Sequence, residues 1–471
     1  MIHSVRRTVS FLLIAVFLAL ACPGSLVRAE LAFSVTLPET VKGYTPCEIR
    51  VYAPVAGKLT LELLDDLKNC WLTLEEQVPE GESVIGWNGL GTYDERMLGG
   101  PYTFLAVLEG EDGSEKHAKA RFEINGTTPT LVFALPSSDT LYLDHGERWF
   151  VECFVTIKCL VAMEIRDSAG QLVYTKEMTI SDPEAVPVRW AGKTNDNQTV
   201  KPGTYTVKMW SKLNPSYATE FTLKVEEKYP YSSEVTVTGP IIPERGMTEE
   251  EIWEIMMKPS VVIDGNGTFR RFDLHKTMNT GSRSVGSLRC ATQGLEVLDI
   301  QGKWAHVRAW NHADGKEVTG YLLLRQLTVY PPAPHYGVLI DKRYQTLTVY
   351  EDGKAIGTIP VSTGLVVGKN YYRETPAGAF LTDVHHAASF AQEGYRYEYP
   401  LKYDAGNMIH GAGYVRTGRA RDYSDTLPKL GQKASHGCTR VSPFATELFP
   451  INMYWLWIHL PYHTRVIVLD D

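Results

Sequence analysis

Residues 435–440 read Ser435-His436-Gly437-Cys438-Thr439-Arg440, and the architecture expected for the C-terminal third of the chain follows from this motif. A second histidine–glycine pair, His410-Gly411, lies 28 residues before Cys438. A free thiol with a pKa of about 8.5 is only slightly ionised at neutral pH, and a neighbouring imidazole can take its proton. A cysteine, a histidine and a tight glycine turn are therefore the minimum set of groups for acyl transfer through a thioester.

Short strands and turns surround these two histidine–glycine pairs. After the proline-rich segment 331–334, strands are predicted over 338–341, 346–350, 356–361 and 464–468, with Asp352-Gly353 as a hairpin turn. Ser442 and Pro443 predict a helix over 443–448, because serine is a frequent N-cap and proline fits the first helical position.

In this order, residues 335–469 resemble the catalytic domain of the L,D-transpeptidase (YkuD) family. The matching pieces are Ile340-Asp341, Ser362-Thr363-Gly364, Thr375-Pro376-x-Gly378-x-Phe380, Ile409-His410-Gly411 and the motif at 435–440. The resemblance implies a β-sandwich with short helices over 335–471. It also implies an enzyme that acts on peptidoglycan stem peptides without a metal or another cofactor.

The resemblance implies a role for each residue of these motifs. Cys438 is the nucleophile that attacks the carbonyl before the terminal D-Ala of a tetrapeptide stem, and His410 is the general base and then the acid. The acyl group passes to an amine of a second stem and forms a 3-3 crosslink, whereas water as acceptor gives a carboxypeptidase. Backbone N–H groups hold the oxyanion, and the residues that form or support this site are Gly437, His436, Ser435 and Gly411.

Two further side chains are expected to bind substrate. Arg440 suits a substrate carboxylate, which a guanidinium binds with two parallel hydrogen bonds, and a structural ion pair is the alternative. Tyr397 lies in the aromatic stretch 387–407, which forms a flap over the cleft in the family, and ordinary aromatic packing is the alternative. His436 either tunes the thiolate or forms a local hydrogen bond.

One segment departs from the family pattern. The distance from Gly411 to Ala434 spans 24 residues, and the family usually has about fourteen to seventeen. The excess, around 416–430, is rich in Arg, Asp and Gly and is interpreted as a surface loop that widens or covers one edge of the acceptor side.

Other functions fit the motifs less well. Papain-like wall endopeptidases carry the cysteine before the histidine, which is the reverse of the order here. A wall-binding protein with an inactive catalytic domain would not need both Cys438 and His410. A zinc site is not expected, because short fixed ligand spacing is absent from the histidines His385, His386, His410 and His436.

The N-terminal half contains an internal repeat. Trp87-Asn88-Gly89 and Gly100-Pro101-Tyr102 recur as Trp190-Ala191-Gly192 and Gly203-Thr204-Tyr205, at an offset of 103 residues. A period of this size indicates β-sandwich domains rather than a solenoid. The pattern resembles the Ig-like domain of the flagellar hook-cap protein, predicted here over 30–126 and 127–226. Both tryptophans are expected in the cores, and the domains are interpreted as spacers or as docking surfaces for a wall polymer or a protein.

A connector and a third small domain follow. Residues 227–257 are predicted to be a linker with a short helix, which Thr248 and Glu251 begin as a capping box. Short strands over 258–330 resemble a bacterial SH3-like barrel, in which Trp304 packs in the core or stacks on a ligand. The predicted fold is therefore mainly β and multidomain.

The N-terminus and the composition indicate where the protein acts. Arg6 and Arg7 precede an apolar run, so 1–29 are predicted to be a signal peptide, with lipidation at Cys22 as the alternative. The expected location is the cell wall outside the cytoplasm. A net charge of −8 argues against nucleic acid as a partner. Seven cysteines are too few for a disulfide scaffold; Cys47 with Cys70 is a candidate pair, whereas Cys153 and Cys159 are predicted on one strand, too far apart to bond.

Overall fold

The computed structural model describes residues 32–471 except 44, 94, 96, 98, 126–131, 156–157, 181–185, 231–233, 265–270, 289–292, 368–372, 386–387, 405 and 418–419. The described residues are mainly in β-strands, as predicted, and they include two α-helices. In this part of the chain no helix combines the length and the apolar character needed to cross a membrane. The predicted signal peptide, Cys22, Cys290 and His386 lie outside the described residues.

The first Ig-like domain is a sandwich of a three-stranded and a five-stranded sheet. Its strands are β1 (Ser34–Thr36), β2 (Thr40–Lys42), β3 (Cys47–Ala53), β4 (Gly57–Asp65), β5 (Cys70–Val78), β6 (Gly81–Trp87), β7 (Gly100–Gly110) and β8 (Glu115–Asn125). The sheet orders are β1-β3-β6 and β2-β8-β7-β4-β5, and β2 pairs with β8 in parallel.

The second Ig-like domain repeats this topology strand for strand. Its strands are β9 (Val132–Pro136), β10 (Thr140–Tyr142), β11 (Phe150–Val155), β12 (Cys159–Asp167), β13 (Leu172–Ile180), β14 (Val186–Arg189), β15 (Gly203–Ser211) and β16 (Asn214–Glu226). The orders are β14-β11-β9 and β10-β16-β15-β12-β13, and β10 again pairs with β16 in parallel.

The repeated tryptophans lie in the two cores, as predicted. Trp87 and Trp190 are each 3% exposed. Each indole N–H donates to the carbonyl three residues later, on Leu90 at 2.9 Å and on Lys193 at 2.7 Å. A buried Trp needs a partner for its N–H, so the turn after the Trp is fixed in the same way in both domains.

The linker helix and the middle domain follow. The helix α1 (Glu249–Met256) begins at the predicted capping box of Thr248 and Glu251. The strands are β17 (Ser260–Ile263), β18 (Phe272–His275), β19 (Ser284–Leu288), β20 (Glu296–Gln301), β21 (Trp304–Trp310), β22 (Glu317–Leu323) and β23 (Leu327–Tyr330). They form the sheets β19-β18-β22-β21-β20 and β17-β23. Trp304 is buried in this domain, and the SH3-like barrel stays a prediction.

The C-terminal domain is built on one large sheet. Its elements are β24 (Tyr336–Asp341), β25 (Thr346–Glu351), β26 (Lys354–Ser362), β27 (Gly378–Leu381), β28 (Ser389–Gln392), β29 (Tyr395–Glu398), β30 (Leu401–Lys402), β31 (Met408–Gly411), β32 (Val415–Thr417), β33 (Ala420–Asp422), β34 (Thr439–Val441), α2 (Met453–His459) and β35 (Arg465–Leu469). The eight-stranded order is β27-β35-β24-β25-β26-β34-β31-β30. Asp352 and Gly353, both at positive φ, form the predicted hairpin turn between β25 and β26.

Three predictions about local structure are wrong. The helix expected over 443–448 is absent from this fully described stretch, because the Ser442 hydroxyl accepts from the Phe444 N–H at 3.0 Å and closes a turn instead. Helix α2 begins later, where the side chain of Asn452 accepts from the Trp455 N–H. The described cysteines are all free, including Cys47 and Cys70, and Cys153 and Cys159 lie on two strands rather than one.

The other domains pack against the C-terminal domain. The buried face of α1, with Ile252 and Met256, shares a core with Ile467 of β35. In the middle domain, the Gly294 N–H donates to the Ala379 carbonyl of β27 at 2.6 Å. The predicted boundaries after residues 226, 257 and 330 fall between secondary-structure elements, whereas those at 30 and 126 lie outside the described residues.

Candidate active site

Cys438 and His410 are brought together by two neighbouring parallel strands. β31 pairs with β34 so that His410 lies opposite Arg440, and Cys438 directly precedes β34. Because side chains alternate along a strand, Cys438 and Arg440 project from the same face of the sheet, and His410 shares that face as the partner of Arg440. The residues predicted as nucleophile, base and carboxylate ligand therefore belong to one face.

The imidazole of His410 is buried and oriented by its own strand. The residue is 2% exposed, and its Nδ1 lies 2.8 Å from the Gly411 carbonyl oxygen. A carbonyl only accepts, so Nδ1 carries the proton and Nε2 keeps its lone pair. Burial lowers the pKa of His410 to about 4. The ring is therefore neutral at pH 7, as a general base must be.

Opposing effects act on the pKa of the Cys438 thiol. Burial of the sulfur is the main cause that raises its pKa, and the Asp404 carboxylate adds to this effect. A hydrogen bond from the Met408 backbone and the nearby Arg440 guanidinium act in the opposite direction. The residue as a whole is partly exposed.

The turn before Cys438 is fixed by hydroxyl groups. Gly437 has a φ of 115°, a conformation that glycine adopts without strain. The Ser435 hydroxyl accepts from the Gly437 N–H at 3.1 Å and donates to the Cys438 carbonyl. Thr375 donates to the Gly437 carbonyl at 2.8 Å. The Gly437 N–H thus already has a partner, which points to the Cys438 N–H for the predicted oxyanion role.

An aromatic wall faces His410. The flap predicted from the aromatic stretch contains a hairpin of β28 and β29, in which Phe390 and Tyr397 stack at 5.0 Å. The Tyr397 ring centroid lies 4.8 Å from that of His410, and the Arg440 guanidinium lies 5.8 Å from the Tyr397 centroid. Among the described residues, the buried Nε of Arg440 has no hydrogen-bond acceptor. Tyr397 and Arg440 are therefore both next to the reacting groups.

The remaining predicted residues have different surroundings. His436 is exposed, and its Nδ1 lies 3.5 Å from the carboxylate of Glu393 at the tip of the flap hairpin. Gly411 packs under the flap, where an added Cβ would lie 3.3 Å from the Glu398 carbonyl oxygen. His385 is buried, and its Nδ1 lies 2.6 Å from the Glu152 carboxylate.

Several residues of the site were not given a role from the sequence. Thr375 was part of a matching motif, but its bond to Gly437 spans 62 residues and has no local signal. Lys342 is buried and supports the same region, with its Nζ 2.8 Å from Glu374 and 3.1 Å from the Thr375 carbonyl. A lysine directly after Ile340-Asp341 gives no signal in the sequence, because its partners lie in the segment before β27 and at Asp470.

The prediction of a surface loop around 416–430 is wrong. This segment contains β32, β33 and a short 3-10 helix, Leu427–Lys429. Arg421 is 5% exposed and Tyr423 is 2% exposed, and both pack toward the first Ig-like domain. The polar composition suggested solvent exposure, whereas the neighbouring domain supplies the partners that bury these side chains.

Comparison with known families defines the class of the C-terminal domain. Residues 335–468 match the family model of the L,D-transpeptidase catalytic domain, YkuD, and residues 160–214 match the FlgD Ig-like domain. The chain therefore carries an L,D-transpeptidase catalytic domain at its C-terminal end, preceded by an Ig-like domain of the FlgD type, in the predicted order.

Proteins similar to this chain include L,D-transpeptidases. The putative L,D-transpeptidase YciB of Bacillus subtilis is 27% identical over 138 residues, which cover 28% of this chain and 66% of that protein. A solved L,D-transpeptidase of Xylanimonas cellulosilytica is 26% identical, with a TM-score of 0.21 and 29% and 60% of the two chains covered. One from Mycobacterium tuberculosis is 19% identical, with a TM-score of 0.23 and 38% and 76% covered.

Proposed function

We propose that this chain is an exported peptidoglycan L,D-transpeptidase with Cys438 as its nucleophile. The observation that carries the proposal is the placement of Cys438, His410 and Arg440 on one sheet face within the segment that matches the family model. The substrates are a tetrapeptide stem as acyl donor and a stem-peptide amine as acceptor, and the site of action is the cell wall.

The first half-reaction forms a thioester. Nε2 of His410 takes the proton of the Cys438 thiol, and the sulfur attacks the carbonyl that precedes the terminal D-Ala. The Cys438 N–H stabilises the resulting oxyanion, a contribution of about 3–4 kcal/mol per donor in comparable sites. When the C–N bond breaks, the His410 imidazolium gives its proton to the departing nitrogen, so D-Ala leaves with a neutral amine and the enzyme holds the acyl group.

The second half-reaction transfers the acyl group. The acceptor amine attacks the thioester carbonyl and loses a proton to His410. The C–S bond then breaks, and Cys438 regains its proton as the new amide forms. Arg440 binds a substrate carboxylate, and Tyr397 forms the wall beside the reacting carbonyl. Water in place of the amine would release a tripeptide and give a carboxypeptidase.

Muropeptide analysis with the full-length protein tests this function. With a tetrapeptide-stem substrate, we expect free D-Ala together with dimers crosslinked through third residues. C438S should abolish both products, and C70S, which changes a free cysteine in the first Ig-like domain, should retain them. Release of D-Ala without dimers would replace the proposal with a carboxypeptidase, and a wild-type protein that yields neither product would refute it.

Several statements about the other domains are still predictions. A wall polymer or a protein bound through the Ig-like and SH3-like domains remains a prediction, and so do the signal peptide and the boundaries of the five segments. The packing of both Ig-like domains on the catalytic domain gives them a structural task besides that of a spacer.

A further inference from the structure

The long segment between Gly411 and Ala434 buries a cation against the first Ig-like domain. The Arg421 guanidinium lies 4.8 Å from the Trp71 ring centroid and 5.5 Å from that of Tyr414. Its Nη2 donates to the Glu398 carboxylate at 3.0 Å. A buried guanidinium is tolerated only when paired and hydrogen-bonded, so these three groups determine where Arg421 can lie.

The first Ig-like domain contacts both the side chain and the main chain of Arg421. Trp71 is oriented by its indole N–H, which donates to the Asp65 carboxylate at 3.1 Å. The side-chain amide of Asn69 donates to the Arg421 carbonyl at 3.0 Å. Trp71, near the start of β5, therefore contacts the guanidinium of Arg421, and Asn69, in the turn between β4 and β5, contacts its main chain.

From Arg421 the contacts lead directly to the flap. Glu398 ends β29, and its carboxylate also accepts from the Tyr414 hydroxyl at 3.1 Å. On the other side of Tyr397, Arg396 and Tyr414 exchange backbone hydrogen bonds of 2.8 and 2.9 Å. The strand is thus fixed on both sides of Tyr397, whose ring faces His410.

A glycine of the same segment seats the Tyr397 ring. An added Cβ on Gly413 would lie 2.6 Å from a ring carbon of Tyr397, which is closer than real Cβ atoms approach. The Thr426 hydroxyl donates to the Gly413 carbonyl at 2.6 Å, which fixes the main chain of Gly413. The long segment is therefore the support on which the aromatic wall rests.

We propose that Arg421 is a positioning residue of the catalytic site, and that Trp71 of the first Ig-like domain holds it there. The pair fixes Glu398 and hence the Tyr397 wall beside His410 and Arg440. This inference rests on the proposed function and deepens it, since it makes the first Ig-like domain a part of the transpeptidase site.

Four variants of the full-length protein test the proposal. R421K keeps the charge and loses the planar fork, W71L keeps an apolar side chain and loses the aromatic ring, and W71F keeps an aromatic ring. R416K is the matched control, since Arg416 is an exposed arginine of the same segment. The readouts are kcat and KM for D-Ala release, and the pH profile of Cys438 alkylation by iodoacetamide, followed on the Cys438 peptide by mass spectrometry.

We expect R421K and W71L to lower kcat by about ten- to a hundredfold with a smaller change in KM, because misplaced catalytic groups have effects of this size. Both should shift the midpoint of the alkylation profile, W71F should recover most of kcat, and R416K should match the wild type. Folded R421K and W71L proteins with wild-type kcat and alkylation profile would overturn the proposal, even if they melt earlier. Alkylation needs no stem peptide, so it decides the role of Arg421 even if the wild type makes no crosslinks.

Discussion

At the scale of single residues, the reacting groups are neutral before substrate binds. Burial raises the pKa of the Cys438 thiol above its ordinary value and lowers the pKa of His410 to about 4. A preformed thiolate–imidazolium pair is therefore not the resting state. In the proposed reaction the proton moves from sulfur to Nε2 as the substrate carbonyl is attacked, so the proposal depends on the geometry of the pair more than on prior ionisation.

His410 should make the protein less stable in acid. Its folded-state pKa of about 4 lies below its ordinary value of 6.5, so the unfolded chain binds more protons between these two pH values. As the pH is lowered through this window, the free energy of unfolding should decrease by up to about 1.4 kcal/mol per pH unit for one proton. Chemical denaturation at several pH values measures this slope.

H410N should flatten the slope by up to one proton, and H436N, which changes an exposed histidine, should leave it unchanged. Equal slopes for H410N and the wild type over pH 6.5 to 4 would contradict the assigned environment of His410.

The motifs that carry the candidate site could be found in the sequence, whereas the environment of their side chains could not. Cys438 and His410 stand in short motifs whose chemistry depends on the residue types themselves. The burial of His410 depends on Phe390 and Tyr397, and the anion near the thiol is Asp404. These neighbours come from separate elements, and no local pattern identifies which of several aromatic and acidic residues will be closest.

At the scale of elements, the Cys438 turn depends on a threonine in the segment before β27. Thr375 is fully buried, and its hydroxyl donates to the Gly437 carbonyl and accepts from the Gly364 N–H, each at 2.8 Å. Gly364 has no room for a side chain, because an added Cβ would lie 2.1 Å from the Arg373 carbonyl oxygen. The segments 362–364 and 375–380 thus serve as a frame for the nucleophile.

T375V should weaken both the fold and the reaction. Valine fills the same space without a hydroxyl, and it leaves two buried backbone groups without their partner, at a cost of about 1–3 kcal/mol each. We expect D-Ala release to slow by about tenfold, because the Gly437 turn loses one of its supports. Thermal melting and the rate of D-Ala release measure the two effects. T375S keeps the hydroxyl and is the control; a T375V protein that equals T375S in both assays would refute this role.

Strands with strong alternation were easier to predict than the segments between them. The hairpin at Asp352-Gly353 and the capping box at Thr248 follow from local residue preferences. The helix expected after Ser442 failed because serine caps turns as readily as helices, and here it accepts from Phe444. The segment around Arg421 failed because its partners lie about 350 residues away in sequence, on the turn of the first Ig-like domain.

At the scale of the whole molecule, both Ig-like domains contact the catalytic domain through buried polar groups. The carboxylate of Glu152, on β11, accepts from the backbone N–H and from Nδ1 of His385, each at 2.6 Å. Nε2 of His385 lies 3.0 Å from the Trp457 carbonyl oxygen of α2. On the first domain, the Glu95 carboxylate accepts from Asn452 at 2.6 Å. Such contacts fix orientation, since buried polar groups tolerate few alternative arrangements.

Breaking the Glu152–His385 pair should therefore destabilise the molecule strongly. Both side chains are almost fully buried, and E152A would leave the backbone N–H and Nδ1 of His385 without their acceptor, at a cost of about 1–3 kcal/mol for each buried group. E152A should show this loss in denaturant unfolding. The matched control is E177A, which removes a carboxylate from an exposed pair with Lys212 in the same domain and should cost no more than about 1 kcal/mol. Similar losses for the two variants would contradict the interdomain role.

This packing was not visible in the sequence. The repeat predicted two similar domains, and their shared topology follows from the alternation and the repeated tryptophans. The contacts of Glu152 and of Trp71 with the catalytic domain differ between the two repeats, because each domain meets a different surface. Periodicity describes what the repeats share, so it carries no information about the contacts that distinguish them.

The central claim is that Cys438 carries the acyl group of a stem peptide during the reaction. The most direct measurement is mass spectrometry of the acid-quenched, proteolysed enzyme after brief incubation with a tetrapeptide-stem substrate. The account predicts a tripeptide-stem adduct on the Cys438 peptide, formed as D-Ala appears and absent from C438S. D-Ala release by the wild type with an unmodified Cys438 peptide throughout, and with activity retained in C438S, would contradict it.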